Sequence, residues 1–237
     1  MDIVIDSGNS VTKIGVFRDS EVSQVQEFSN VNKAINFVNE LKPQNVILSS
    51  VKFKPGEFIR SLKIPGIFLV LNHNTPVPIK NSYDTPKTLG MDRLAAAVGA
   101  WSLFPNKNIL IIDIGTCTTY DLIQDNGEFI GGSISPGIDI RFQSLHEYTA
   151  NLPLVRNDWN YITPGQTTED AIKSGVINGM IAECEGFIYQ YQRIYSNLTI
   201  ILTGGLYKLF ESKIKGNIFA VPNLVITGLH RILLYNV

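Results

Sequence analysis

The 237 residues are 44% hydrophobic and 17% charged, enough apolar material for one large core or two modest ones and too much for a disordered chain. With 20 basic against 21 acidic residues the formal charge is -1, which excludes a global field for nucleic acid or an anionic membrane, so any charged ligand must be held locally. Cys117 and Cys184 are too few for a disulfide scaffold or a zinc cluster; no signal-peptide pattern follows Met1 and no run reaches membrane-spanning length, so the chain reads as cytoplasmic.

In chain order, "DIVIDSG" from Asp2 and "TKIGVFRD" from Thr12 are short β-branched runs, and "EVSQVQEFS" from Glu21 alternates apolar and polar, which predicts an antiparallel meander. "VNKAINFVNELK" has helical spacing, "NVILSSV" reads as a buried strand, "GEFIRSLK" as a short helix and "GIFLVLN" as a further strand. This β-α-β alternation predicts parallel pairings. "NTPVPIKNSYDTPKTLG" (74–90) reads as a long loop, and "MDRLAAAVGAWSLF" as a helix. After a break at "PNKN" (105–108) the chain restarts with strands "ILIIDIGTCTTYDLI" and "GEFIGGSISPG". Helices are predicted over Ile138 to about Thr149 and Thr168 to Tyr195, then the strand "LTIILTGG", a helix at 206–213 and a last helix within "LVITGLHRILLYN". The restart predicts an α/β fold of two duplicated domains, 1–107 and 108–237, each a mixed sheet opening on a meander with flanking helices.

The restart repeats a phrase. Asp6-x-Gly8 with Thr12 and Asp113-x-Gly115 with Thr119 share their spacing and stand roughly 100 residues apart, too long for a solenoid period. A turn of this composition suits a nucleotide: Gly lets backbone approach a phosphate, N–H groups and hydroxyls bond its oxygens, and Asp at the strand end holds a cation or its water. A ligand-free hairpin turn is the plainer reading of one copy; two matched copies favour the ligand. The P-loop, Rossmann, G-x-S-x-G and H-E-x-x-H patterns do not occur, and "SVTK" at Ser10 lacks the companions of an S-x-x-K enzyme. His73, His146 and His230 are scattered, as core or surface histidines are.

With its duplicated hairpins the chain resembles the superfamily of actin, the Hsp70 ATPase domain and the sugar and acetate kinases. "DSGNSVTK" (6–13), "LGMDR" (89–93) and "DIGTCTTYD" (113–121) are similar to three segments of the type III pantothenate kinases, in their order and spacing. "GGSISPGIDI" (131–140), "TTEDAIKSGVINGM" (167–180) and "ILTGG" (201–205) fall where that family has its Pro-Gly turn, a helix start and an adenosine-side Gly-Gly, so the resemblance spans the whole chain. Ser10 and Thr167 depart from the usual Thr and Asn.

The resemblance implies transfer of the γ-phosphoryl of ATP to the primary hydroxyl of pantothenate, the first step toward coenzyme A. It implies Asp92 as general base, although a first-turn carboxylate at a helix start is also a capping group. Tyr83, Gly90, Met91, Asp92, Arg93 and Thr168 are the implied pantothenate contacts, with Arg93 on its carboxylate; a packing Tyr and a solvated Arg are the plainer alternatives. Asp6, Ser7, Gly8, Asn9, Ser10, Val11, Thr12 and Lys13, with Thr116, Gly204 and Gly205, are the implied ATP contacts. Asp6 is implied near Mg²⁺ through water, and Asp113 as ligand of a monovalent cation, K⁺ or NH₄⁺. Lys13 also fits an exposed strand position, and the two glycines an ordinary strand-to-helix turn. A homodimer is implied as well. The helix from Thr168 carries Ile172, Val176, Ile177, Met180, Ile181, Cys184, Phe187, Ile188 and Tyr191, an apolar surface wide enough for a core and a partner or for a helix buried in one subunit. Other small-molecule kinases of the superfamily and a regulatory protein like the Bvg accessory factor are the alternatives.

Overall fold

The computed structural model describes residues 1–8, 11–50, 56–156 and 158–237. The chain forms two compact units: Met1–Ile109 with Asp121–Gly131 and Asn223–Val237, and Leu110–Tyr120 with Gly132–Pro222.

In the first unit, strands β1 (Asp2–Ser7), β2 (Thr12–Arg18), β3 (Glu21–Phe28), β4 (Asn45–Ser50) and β5 (Phe68–Val70) make one sheet in the order β3-β2-β1-β4-β5. The meander pairs antiparallel, while β1–β4 and β4–β5 pair parallel, as the sequence predicts. Both faces of β1 are covered, so it reads as a continuous apolar run. On one face Ile3, Ile5, Ile14, Val16, Val46 and Leu48 pack against Ala34, Ile35 and Val38 of helix α1 (Val31–Leu41). That helix starts where the Asn30 side chain accepts from the Asn32 and Lys33 N–H groups and stops at Lys42 in the left-handed region. A short helix α2 (Gly56–Ser61) precedes β5.

The long loop holds a two-residue strand, β6 (Lys80–Asn81), and a 3₁₀ turn (Pro86–Thr88), and leads into α3 (Met91–Leu103). All residues from Arg93 to Ala100 are buried. The last helix, α7 (Leu224–Tyr235), returns to this unit and crosses α3 backbone to backbone. A methyl group at Gly228 would overlap the Ala95 carbonyl, and one at Gly99 would stand 2.6 Å from the Leu224 oxygen. On the face of β2 toward α7, Ile226 fills the space a side chain at Gly15 would need, and His230 stacks on Phe17 with ring centroids 3.8 Å apart. Burial pushes the His230 imidazole below its ordinary pKa despite its contact with Asp2 at 3.3 Å, so this histidine is a core residue.

The second sheet runs β11-β10-β7-β8-β9-β6, with β7 (Ile109–Ile114), β8 (Cys117–Ile123), β9 (Glu128–Pro136), β10 (Thr199–Thr203) and β11 (Ile218–Ala220). In the second unit Leu110, Ile112, Ile114, Ile200 and Leu202 pack with α4 (Ile138–Glu147), α6 (Tyr207–Glu211) and the 25-residue α5 (Thr168–Gln192). The wide apolar surface expected on α5 is largely used here: Ile172, Val176, Ile177, Met180, Cys184 and Ile188 are buried in the unit's own core, with Ile181, Phe187 and Tyr191 packed at its margin.

The α3–α7 crossing sets a prediction. Gly228→Ala should destabilise the protein by about 1–3 kcal/mol or more through overpacking. Gly186→Ala, on the exposed side of α5 where an added methyl meets nothing within 4 Å, should be neutral or stabilising by up to about 1 kcal/mol through helix propensity. Thermal melts of the two variants check this, and equal melting temperatures would contradict it.

Candidate active site

The first hairpin places Asp6 opposite Lys13 and Ser7 opposite Thr12. The Ser7 and Thr12 hydroxyls are buried and bonded to each other at 3.2 Å, so these two hold the hairpin together. Gly8 N–H donates to the Val11 carbonyl at 3.1 Å and closes the turn. Lys13 reaches the exposed Glu27 carboxylate at 3.1 Å. Asn9 and Ser10 lie outside the described residues.

The second hairpin is tighter. Where four residues separate β1 from β2, two separate β7 from β8, and Gly115 N–H donates to the Cys117 carbonyl at 3.0 Å. Thr12 therefore opens its strand, whereas Thr119 is the third residue of β8: the matched letters occupy different places. Neighbouring segments wedge this turn. A methyl group at Gly137 would overlap the Gly115 and Thr116 carbonyls, and Gly137 N–H donates to the Thr116 oxygen at 3.1 Å. Gly204, at φ +96°, lies against the Asp113 carboxylate, and a Cβ there would stand 2.5 Å from the Ile114 oxygen. The structure thus brings together Asp113, Thr116 and Gly204 of the expected site, while Gly205 faces open space.

Gly90 is the N-cap of α3 and Asp92 lies in its first turn. The Asp92 carboxylate folds back over Gly90, where a Cβ would stand 2.5 Å from Oδ1, and accepts the Arg93 N–H at 2.9 Å. Asp92 is exposed; Met91 is half-buried. Arg93 is turned inward. Its Nε donates to both Asp121 oxygens at 3.0 and 3.1 Å and its Nη2 to Oδ1, and the guanidinium carbon lies 5.5 Å from the centre of the Tyr83 ring. Burial works against the Arg93 charge, but Asp121, with a smaller contribution from Tyr83, holds its pKa above the ordinary value. Tyr83 in turn lies over Gly131, whose φ of +111° and missing side chain leave room for the ring. Its loop is pinned by Glu128, which accepts from Lys80 at 2.7 Å and from the Ser82 hydroxyl; these bonds lower the Glu128 pKa to about 2.

Thr168, exposed, follows the N-cap Thr167, whose hydroxyl accepts the Asp170 N–H at 3.1 Å. It lines a cavity of about 580 Å³ with Arg141, Ser144, Leu145 and Ile172. Arg141 donates to Glu183 at 2.6 Å, and Glu183 accepts the buried Tyr120 hydroxyl at 2.8 Å, which ties α4, α5 and β8 together.

Asp121 and Glu128 have no role in the sequence reading, and Gly137 enters it only as the Gly of the Pro-Gly turn. Asp121 carried a usable signal, a carboxylate inside the apolar run "TYDLI", because a buried charge needs a partner. The other two depend on contacts distant in sequence.

The chain matches the family model of type III pantothenate kinase over residues 2–190. A type III pantothenate kinase of Cytophaga hutchinsonii is 43% identical over 237 residues, all of both chains, and that of Christiangramia forsetii 41% identical over 100% of this chain and 99% of the other. Among solved structures, a protein of Campylobacter jejuni assigned to the Baf family of transcriptional activators superposes with a TM-score of 0.62 at 21% identity, covering 99% of this chain and 98% of that one. The ROK hexokinase of Thermus thermophilus gives a TM-score of 0.52 at 9% identity over 99% of both chains. These two likenesses speak to the fold, which is that of the sugar kinases.

Proposed function

Because the chain belongs to the type III pantothenate kinase family, it is a kinase that moves a phosphoryl group from ATP to pantothenate at the first step of coenzyme A biosynthesis, and we propose that Asp92 takes the proton of the attacking hydroxyl. The observation that carries this is the placement of Asp92: exposed on the first turn of α3, oriented by the N–H of Arg93, whose guanidinium is itself fixed on Asp121.

Tyr83, Gly90, Met91 and Arg93, all of the first unit, line the pantothenate site, and Thr168, in the second unit, is the contact expected from the other subunit of a dimer. With Nε and Nη2 on Asp121, Arg93 meets the substrate through its remaining N–H groups. Asp6, Gly8, Asn9, Ser10, Val11 and Lys13 bind the ATP phosphates, and the hydroxyls of Ser7 and Thr12 brace that hairpin. The Lys13–Glu27 pair is a surface ion pair, weak enough for phosphate to compete for the ammonium. Thr116, Gly204 and Gly205 receive ATP from the second hairpin and the β10 turn.

The donor set fits the implied cations. Asp113 Oδ1 and the Ile114 carbonyl both lie against Gly204, hard oxygens of the kind that would hold K⁺ or NH₄⁺, and Asp6 would suit Mg²⁺ through water. Bound there, such ions neutralise phosphate charge. We also infer a homodimer. Its support is the family and the apolar side chains that the second unit leaves exposed, Ile134, Tyr148, Leu154 and Ile162 among them. No helix among the described residues is long and apolar enough to cross a membrane.

Asp92→Asn keeps an acceptor for the Arg93 N–H, so the fold should persist while kcat falls by roughly 10²-fold or more; near-normal kcat would reject the role. Asp113→Asn should blunt stimulation by K⁺ and NH₄⁺ over Na⁺, and equal rates of the unsubstituted enzyme in all three salts at constant ionic strength would reject that assignment. Light scattering on a sizing column should give twice 26.3 kDa, and a mass of one chain at assay concentration would exclude the dimer.

A further inference from the structure

Asp121 sits in the middle of a strand, 1% exposed, between the apolar residues Tyr120 and Leu122. A carboxylate there is costly unless it is paired, and its partner Arg93 is itself 7% exposed. The pair runs from β8 to the first turn of α3 through two N–H groups of one guanidinium, a geometry that fixes the plane of the fork as well as its position. The restraint continues outward. Arg93 holds the Asp92 carboxylate through its backbone N–H, and its guanidinium faces the Tyr83 ring. One buried oxygen pair thus restrains, in series, Arg93, Asp92 and Tyr83.

We propose that Asp121 is a positioning residue for pantothenate, acting through Arg93 to hold the first turn of α3 and the Tyr83 ring in the arrangement that receives the substrate. The inference rests on the reading of Tyr83 and Gly90 to Arg93 as the pantothenate site and extends it to a residue that touches no substrate. Displacement of a reacting group by an ångström costs orders of magnitude in rate, so a restraint one layer below the site has kinetic weight.

The test is a double-mutant cycle on the full-length enzyme, with KM and kcat measured for both substrates. Asp121→Asn should raise the KM for pantothenate about tenfold or more and lower kcat while the KM for ATP stays within about twofold. In an Arg93→Lys background, where the forked pairing is already lost, the same change should add less than about threefold. Asp121→Glu keeps the charge, displaces it by one methylene, and should fall between the wild type and the Asn variant. It supplies the same reading should the Asn variant fail to fold: a raised KM for pantothenate supports the role and an unchanged one overturns it. Equal effects of Asp121→Asn in both backgrounds, or a lowered melting temperature with intact kinetic constants, also overturn it. Failure of the underlying reading looks different: the wild-type enzyme would then show no ATP-dependent turnover of pantothenate.

Discussion

Placing the charge of Arg93 inside the protein constrains everything around the start of helix α3. Residues Arg93 to Ala100 are buried, so the helix meets the core one residue after Asp92, and a cation at that boundary requires an internal counter-charge. Asp121 supplies it from β8. Such a pair is poor evidence for stability, because apolar residues of similar volume often serve as well, yet loss of one partner alone costs about 3–5 kcal/mol. What it supplies is a fixed orientation. Asp92, one residue earlier, stays in water with its carboxylate bonded to the Arg93 N–H, so a buried pair and an exposed acid share a single helical turn.

The rest of α3 answers the same demand by other means. Its "AAAVGA" run carries almost no side-chain volume, and α7 approaches until Gly228 lies against the Ala95 carbonyl. Helix α3 is thereby held by backbone contact along its middle and by the ion pair at its start. The cost is sensitivity, since a crossing made of Gly and Ala has no flexible side chain to move aside when a methyl group is added.

Much of this was legible in the sequence. The antiparallel meander, the parallel β-α-β units, the starts of α3, α4 and α5, and the three segments "DSGNSVTK", "LGMDR" and "DIGTCTTYD" all follow from local periodicity, turn residues and short motifs. What was not legible depends on partners far along the chain. The small residues of α3 give no hint that α7, beginning at Leu224, covers them, and the apolar breadth of α5 does not say whether its own sheet or another chain takes it up. Arg93 is the instructive case: a helix-start arginine reads as a solvated or ligand-binding charge, and only the fold brings Asp121, 28 residues later, beneath it.

The repeated phrase teaches the complementary lesson. Equal spacing from Asp to Thr suggests equal turns, but the loop after Asp6 is two residues longer than the loop after Asp113. The longer loop is closed where Gly8 N–H donates to the Val11 carbonyl. The shorter loop is clamped: Gly137 N–H binds the Thr116 oxygen, Leu206 N–H binds the Ile114 oxygen, and Gly204 at positive φ lets the chain pass against Asp113. Held this way, the second turn sets a carboxylate and a carbonyl oxygen against Gly204, the feature on which the proposed monovalent-cation site rests. The matched Asp, Gly and Thr therefore do not make the two turns alike: the loop lengths differ, and Gly137 and Gly204, from outside the repeated phrase, close on the second turn.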